Sequence, residues 1–324
     1  MLIADSSAST GLSWAGPEFV AGRNKILNSD FSIWQRGTSF TLTNATETYC
    51  ADRFRFSTYA ASGGLTGLVS QQAFTPGTAP VAGYEGTYFA RLTNSSSASA
   101  WQIRQRIEDV RTLAGQTVTF SFWVKASVSL PNTDLRAQYV QVFGTGGSTS
   151  VAADMGSFTI STSWERKTFT VTLPSVAGKT IGAGSYLDIT FYQGANATNS
   201  STIDTWGWQL EAGSVATPFT TATGTLQGER AACQYYYQLG FADTRFNATV
   251  TNQAFSIPLT FTRMRLDAPT AAWRAAADYS QNVSNPTINA GITATDFTTA
   301  VFRGNCTTTG DTYYGRQFEL VAEL

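Results

Sequence analysis

The stretch that decides the fold is Thr117-Val118-Thr119-Phe120-Ser121-Phe122-Trp123-Val124-Lys125. Every second side chain from Val118 to Val124 is apolar, so these side chains fall on one face of an extended strand. The stretches Thr168–Leu173 and Leu187–Tyr192 alternate in the same way, and Ile203–Leu210 follows them. Short alternating runs separated by Gly, Asn, Ser and Pro predict a β-sandwich rather than alternating strands and helices.

The composition supports an all-β protein with long polar loops. Of the 324 residues, 42% are hydrophobic, which is enough for a sizeable core, and only 13% are charged, against roughly 25% in an average soluble domain. The net charge is −1 and the charges form no run of one sign, so we expect no nucleic-acid partner. No apolar run approaches the roughly 20 residues of a membrane span, so we expect no membrane insertion.

The residue types that most enzymes and metal sites use are scarce. The chain has no histidine, and its three cysteines, Cys50, Cys233 and Cys306, are widely spaced. We therefore predict no catalytic residues, no cofactor and no metal, although Asp30, Asp188 and Asp204 are metal ligands by type. Paired carboxylates remain the catalytic alternative in principle. The thiols are expected to be reduced and mostly buried.

The chain divides into four segments by pattern. Residues 1–24 are too polar to form a core and are predicted to be a docking arm, with Trp14, Pro17 and Phe19 as its anchoring groups. Residues 25–220 form the predicted sandwich, and residues 221–239 form a connector in which Thr225–Tyr237 is a short helix or turn running into a strand. Residues 240–324 are predicted to be a smaller C-terminal β domain.

Several motifs resemble those of one family of proteins. Four motifs resemble strands of carbohydrate-binding-module-like jelly rolls: Asn28–Trp34, Thr117–Ala126, Ser163–Arg166 and Trp208–Glu211. Four others resemble bacteriophage fibre and structural proteins: Tyr49–Phe54, Gly213–Phe219, Cys233–Tyr236 and Ala322–Leu324. On this resemblance, Asn28–Phe40 and Trp206–Phe219 contain the first and last strands of the sandwich.

The resemblance implies a non-enzymatic virion protein, made in the host bacterial cytoplasm and displayed on the virion surface. We expect a tail fibre or receptor-binding appendage that contacts host surface glycans, with other tail or baseplate proteins as partners. The alternative is a capsid decoration, head-fibre or cement protein that the N-terminal arm anchors to the shell. Proteins of this kind are commonly homotrimers, and the start of the chain lacks the features of a signal peptide.

Glycan recognition needs flat aromatic faces and polar groups for hydroxyls. Five aromatics lie near polar loops or strand ends, among them Tyr88. The other four are the candidate glycan-binding residues: Tyr84, Trp101, Tyr139 and Tyr192. Packing in the core is the alternative for each of them. Packing in the core or on a sheet face is the expectation for Trp34, Phe120, Phe122, Trp123 and Trp208. Gln102, Arg104 and Arg106 share one strand face, which we interpret as solvated or as a subunit contact.

Overall fold

The alternating stretches pair into antiparallel sheets in this structure, which is a computed structural model. It describes residues 2–4, 12–14, 21–43, 45–60, 67–81, 84–94, 99–131, 135–194, 201–266, 270–274, 279–281, 283–289, 299–306 and 310–324. The chain divides into two units, residues 1–229 with Leu324, and residues 230–323. The division falls inside the predicted connector, 221–239. Across the described ranges, no helix is long and apolar enough to cross a membrane.

The strands of the first unit are short. They are β1 (Leu2–Ala4), β2 (Leu12–Trp14), β3 (Ser39–Leu42), β4 (Thr48–Tyr49), β5 (Phe54–Ala60), β6 (Gly67–Ala73), β7 (Tyr88–Asn94), β8 (Ser99–Glu108), β9 (Thr117–Ala126), β10 (Leu135–Val142), β11 (Val151–Ser157), β12 (Glu165–Thr172), β13 (Tyr186–Gln193) and β14 (Ser201–Ala212).

Two six-stranded sheets build the sandwich. The first sheet has the order β11-β10-β13-β8-β5-β4, and the second has the order β12-β9-β14-β7-β6-β3. Because many neighbouring strands are distant in sequence, the chain crosses repeatedly between the sheets, as it does in a jelly roll. The predicted all-β sandwich is confirmed. β1 and β2 form a separate two-stranded sheet, with Leu2 opposite Trp14.

The core lies between the two sheets and combines aliphatic side chains with a group of contacting aromatic rings. The ring of Phe122, from the second sheet, lies 4.9 Å from that of Phe191 in the first sheet and 5.5 Å from that of Trp208. Phe120 and Trp34 belong to the same buried cluster, which confirms their predicted packing. Rings that touch at such distances stabilise a core beyond the area they bury.

One extra residue in β14 separates two tryptophans that alternation would place on the same side. Trp206 lies opposite Trp123 and Gln209 lies opposite Ser121, so three steps along β14 match two along β9. Gly207 occupies this bulge with a φ of +65°, and a Cβ there would lie 2.8 Å from the Trp123 ring. Glycine therefore fits this site, and Trp208 enters the core while Trp206 faces outward.

The sequence misplaced one strand and missed another. Among residues 28–40 only Ser39 and Phe40 lie in a strand, because the Asn28 side chain bonds Ile33 and Asp52 and holds residues 28–33 out of an extended strand. The strand that the sequence missed is β6, which lies in a stretch with the composition of a loop. Its small polar residues conceal the alternation that buries Gly67 and Val69.

The second unit begins inside helix α1 (Leu226–Gln234), which confirms the predicted short helix. Its strands are β15 (Tyr237–Ala248), β16 (Ala254–Thr260), β17 (Thr270–Trp273), β18 (Tyr279–Gln281), β19 (Val283–Asn289), β20 (Thr299–Cys306) and β21 (Gly310–Val321). One sheet has the order β15-β21-β17 with β18 also paired to β21, and the other has the order β16-β20-β19. The sequence pattern correctly indicated that this segment is rich in strands.

Candidate functional site

The outward side of the first sheet is polar across its central strands, and we call it the polar face. Core residues alternate there with the residues of this face, which are Arg55, Gln102, Arg104, Arg106, Arg136, Gln138, Asp188, Thr190 and Tyr192. The strand register aligns them in rows. One row joins Gln102, Tyr192 and Arg136, because Tyr192 lies opposite both of the others.

One end of the polar face is a dense ion network. Nη1 of Arg104 lies 2.9 Å from Glu47 Oε1 and 3.5 Å from Asp188 Oδ2, and Arg55 also pairs with Glu47. Burial, reinforced by repulsion from Arg106, lowers the pKa of Arg55 to about 10. Burial also raises the pKa of the Asp188 carboxyl, although the three arginines oppose that shift. The ion pairs of this network therefore do not fully offset the cost of removing Arg55 and Asp188 from water.

Some polar atoms of the polar face have no hydrogen-bond partner within the described residues. They are Nε of Arg104, Nε of Arg55 and Oε1 of Gln102, all of them buried. Buried groups of this kind normally find a partner in protein or water, since leaving one unpaired costs about 1–3 kcal/mol. A ligand or ordered water with its own donors and acceptors would satisfy them.

The other end of the polar face is open and combines an aromatic ring with amide and charged groups. The Tyr192 hydroxyl donates to Asp154 Oδ1 at 3.2 Å, and Gln138 Nε2 donates to the same oxygen at 3.2 Å. Arg136 Nε lies 3.5 Å from Asp154 Oδ2, and both side chains are 38% exposed. These four side chains, the Tyr192 patch, offer donors and acceptors to hydroxyl groups beside a half-buried ring.

Tyr84 lines a cavity of about 230 Å³ elsewhere in the first unit. Its hydroxyl donates to Asp30 Oδ2 at 3.2 Å, and its ring centroid lies 5.0 Å from that of Phe219. Glu229 also lines this cavity. Its carboxylate accepts hydrogen bonds from the Asn28 and Thr223 backbone amides and from the Thr223 hydroxyl, while burial raises its pKa. Through these hydrogen bonds, Glu229 holds together the chain segments at Asn28 and at Thr223.

Residues 56–182 match the family model described as a carbohydrate binding domain. The matched segment supplies most of the polar face and three residues of the Tyr192 patch, whereas Tyr192 itself follows it. No curated protein matches the sequence.

The chain is similar to several solved structures, including the following three. The tailspike protein 4 enzymatically active domain of Bacteriophage CBA120 is 14% identical with a TM-score of 0.32 and covers 59% of this chain. A carbohydrate-binding module from the β-sandwich superfamily is 13% identical (TM-score 0.35, 52% covered), and the CBM22-1 xylan-binding domain from Paenibacillus barcinonensis is 12% identical (TM-score 0.32, 60% covered). This chain spans 21%, 62% and 98% of those three chains, respectively.

The structure corrects the placement of two candidate aromatics. Trp101 is fully buried, with its indole N–H bonded to Gln193 Oε1 at 2.6 Å, and Tyr139 is 4% exposed in the middle of β10. Both point inward because strand alternation, rather than proximity to a loop, sets the direction of a side chain. As placed, neither ring offers a face to a glycan.

The remaining candidates stay predictions. Tyr84 and Tyr192 are half-buried at two separate places, so the structure does not join them into one site. Trp14 ends β2, and its side chain lies outside the described atoms, as do Pro17 and Phe19 entirely. Trp123, expected in the core or on a sheet face, packs on the outward side of the second sheet.

Sequence reasoning missed Arg136, Gln138 and Asp154. The clean alternation of β10 carried a usable signal, since it turns Arg136 and Gln138 to one side, whereas the small residues around Asp154 gave none. Within the described part of the chain, no three Asp, Glu or Cys side chains cluster to hold a metal ion. The three aspartates that were ligands by type have other partners: Asp30 has Tyr84 and Ser32, Asp188 has arginines, and Asp204 has Arg91.

Proposed function

We propose that this chain is a non-enzymatic bacteriophage virion protein, a tail fibre or receptor-binding appendage that binds host surface glycans through the polar face of its sandwich. The observation that carries the glycan-binding part is the match of residues 56–182 to a carbohydrate binding domain. That segment contains β8, β10 and β11, whose outward side chains form much of the polar face.

The chemistry of the Tyr192 patch suits weak contact with a sugar. The Tyr192 ring provides an apolar surface, and Arg136, Gln138 and Asp154 provide groups of both hydrogen-bonding types to hydroxyls. A patch that is open to solvent gives a modest affinity for one copy. We also propose that the chain forms homotrimers, as proteins of the family that it resembles commonly do. Several copies on one particle then multiply this affinity through effective concentration.

The proposal of a non-enzyme rests on the absence of histidine and on how the cavity carboxylates are held. Without histidine, a glycosidase would still need two carboxylates that face the substrate. Asp30 and Glu229 line one cavity, but both Glu229 oxygens already accept hydrogen bonds from backbone amides. A general acid must give its proton to the substrate, so a carboxylate held in this way is poorly suited to that role.

Glycan binding is tested on the whole chain with an array of bacterial surface polysaccharides. Tyr192→Ala should weaken binding of any captured glycan by about tenfold, since it removes the aromatic surface of the patch. Tyr235→Ala is the matched control, because Tyr235 is also partly exposed and lies in the second unit. Equal binding by both variants would remove the Tyr192 patch from the proposal.

The virion role is supported by the motifs Gly213–Phe219 and Cys233–Tyr236, which resemble those of phage fibre and structural proteins. Immunogold labelling of particles with an antibody to the second unit tests it. Label at the tail is the expected result and would justify a search for the receptor. Label over the capsid would instead indicate a decoration or head-fibre protein, and particles without label would overturn the virion role altogether.

A further inference from the structure

A row of charged side chains crosses the outward side of the second sheet. Asp204 on β14 lies directly opposite Arg91 on β7 and, on its other side, opposite Lys125 on β9. Neighbours that face each other across strands are close enough for their side chains to interact. The row is therefore set by the register of three strands, which makes it a rigid feature of the sandwich.

The central carboxylate is buried and both of its oxygens are occupied. Arg91 donates from Nε to Asp204 Oδ1 at 2.7 Å and from Nη2 to Oδ2 at 2.9 Å, a two-pronged pair. Lys125 Nζ lies 3.6 Å from Oδ2. The Asp204 side chain is 4% exposed, whereas those of Arg91 and Lys125 are 34% and 31% exposed. Two cations thus share one carboxylate, and the cations face outward.

A cavity of about 240 Å³ opens above this row, and we call it the Arg91–Asp204 pocket. Its other polar lining is hydroxyl groups, from Ser127, Thr162 and Thr202. Ser127 Oγ already accepts a hydrogen bond from the Thr202 amide, so its O–H can donate. The volume lies below the roughly 300–1,000 Å³ of sites for drug-sized ligands, which suits one sugar unit.

Aromatic rings hold the cations in place beside the pocket. Lys125 Nζ lies 5.1 Å from the centroid of the Trp164 ring, and the Arg91 guanidinium carbon lies 5.6 Å from that of Phe89. Contacts of this kind attract a cation to a ring face. They also occupy the ring faces that a neutral sugar would stack on, so charge and hydrogen-bond donors dominate what the pocket offers.

We propose that the Arg91–Asp204 pocket binds the carboxylate of an acidic sugar residue, as a second saccharide site on the sheet opposite to the one that carries the polar face. The surplus positive charge and the outward donors of Arg91 and Lys125 select an anion, and the hydroxyl lining selects a polyol attached to it. The choice of a saccharide rests on the proposed glycan-binding function, whereas the preference for an anion rests on the pocket alone.

In the experiment, the full chain is titrated with methyl β-glucuronide, and binding is measured by calorimetry and by changes in amide chemical shifts. Methyl β-glucoside is the neutral control, and acetate is the control for the carboxylate alone. We expect the glucuronide to bind with a Kd on the order of 1 mM and at least about tenfold more tightly than either control. Raising the salt concentration should weaken it. Equal binding of the glucoside, or of acetate, would overturn the proposal.

A matched pair of variants places the site. Lys125→Met removes the charge but keeps most of the side chain's apolar length and the Arg91–Asp204 pair, and it should weaken glucuronide binding about tenfold. Lys179→Met is the control, since Lys179 also lies over a ring, that of Phe143, but outside the pocket. A thermal melt verifies that both variants fold. Equal affinity in the two variants would place the glucuronide elsewhere and sink the assignment.

Tyr192→Ala separates this inference from the proposed function. If glucuronide binding is unchanged in Tyr192→Ala and is weakened about tenfold in Lys125→Met, the pocket binds independently of the polar face. If array glycans bind through Tyr192 while the glucuronide does not bind at all, the inference fails alone. If the glucuronide binds in the pocket and no glycan depends on Tyr192, the polar-face assignment fails and the pocket stands.

Discussion

The two outward faces of the sandwich arise from the same alternation but are used in different ways. On the first sheet, polar side chains such as Arg136 and Tyr192 stay at the surface. On the second sheet, Trp206 is fully buried in an outer aromatic cluster with Phe74, Phe89 and Phe219. An outward position on a strand is therefore not a surface position when loops cover it. One face has side chains available for recognition, and much of the other contributes to stability.

The largest effect that tests this contrast is Trp206→Ala. We expect a loss of about 3–5 kcal/mol in the free energy of unfolding, similar to that of Trp208→Ala in the core between the sheets, since each change removes a fully buried indole. Urea unfolding measures both. A loss below about 1 kcal/mol for Trp206→Ala would mean that the outer cluster is only a surface patch and that the two faces are alike.

The next effect compares one ion pair from each face. Arg91→Met leaves the buried Asp204 carboxylate with Lys125 alone and should cost about 2–3 kcal/mol. Arg136→Met breaks the exposed pair with Asp154 and should cost under about 1 kcal/mol. The same urea experiment checks both variants. If their costs are equal, burial does not distinguish the faces energetically.

A smaller effect concerns the pH dependence of Asp188 on the polar face. Because burial raises its pKa above the ordinary 3.8, its contribution to stability is fully present below that value and is lost as the pH rises through the folded-state pKa. Relative to Asp188→Asn, the unchanged protein should therefore lose stability as the pH rises from about 4 towards neutrality. Urea unfolding of both proteins across this range measures the trend. The reverse trend would show that pairing with the arginines outweighs burial.

The smallest effect is expected at Cys50, in the core between the sheets. The side chain is fully buried, and burial raises the pKa of its thiol, so the reactive thiolate is scarce. Iodoacetamide at pH 8 should leave Cys50 unmodified in the folded protein and modify it in urea, as site-resolved mass spectrometry would show. Rapid modification of the folded protein would reveal that the sheets separate readily.

Much of the fold could be predicted, because strands such as β9 and β10 alternate cleanly and their inward residues are large and apolar. The polar loops of the sequence were harder to interpret, and β6 was missed since Ser70, Gln71 and Gln72 resemble a loop in composition. The site was predicted less well. Trp101 and Tyr139 lie near loops in sequence yet point inward, and whether an aromatic residue is exposed depends on the pairing of distant strands.

The charged row of the Arg91–Asp204 pocket shows the same limit. In the sequence, Lys125 follows Arg91 by 34 residues (125 − 91), and Asp204 follows Lys125 by 79 residues (204 − 125). Nothing local in the sequence marks any of them. Only the antiparallel register of β7, β14 and β9 brings them into one row. A pattern within one strand indicates which side chains face outward, but not which neighbours they meet.

The bulge at Gly207 makes the length of β14 as important as its composition. A regular pleat that kept Gly207 in the strand would turn one half of β14 over. Either Trp206 would leave the outer cluster and Asp204 would leave the charged row, or Trp208 and Leu210 would leave the core. A relative with no residue between its two tryptophans would need no bulge to supply both clusters, because regular alternation already places adjacent residues on opposite sides of a sheet.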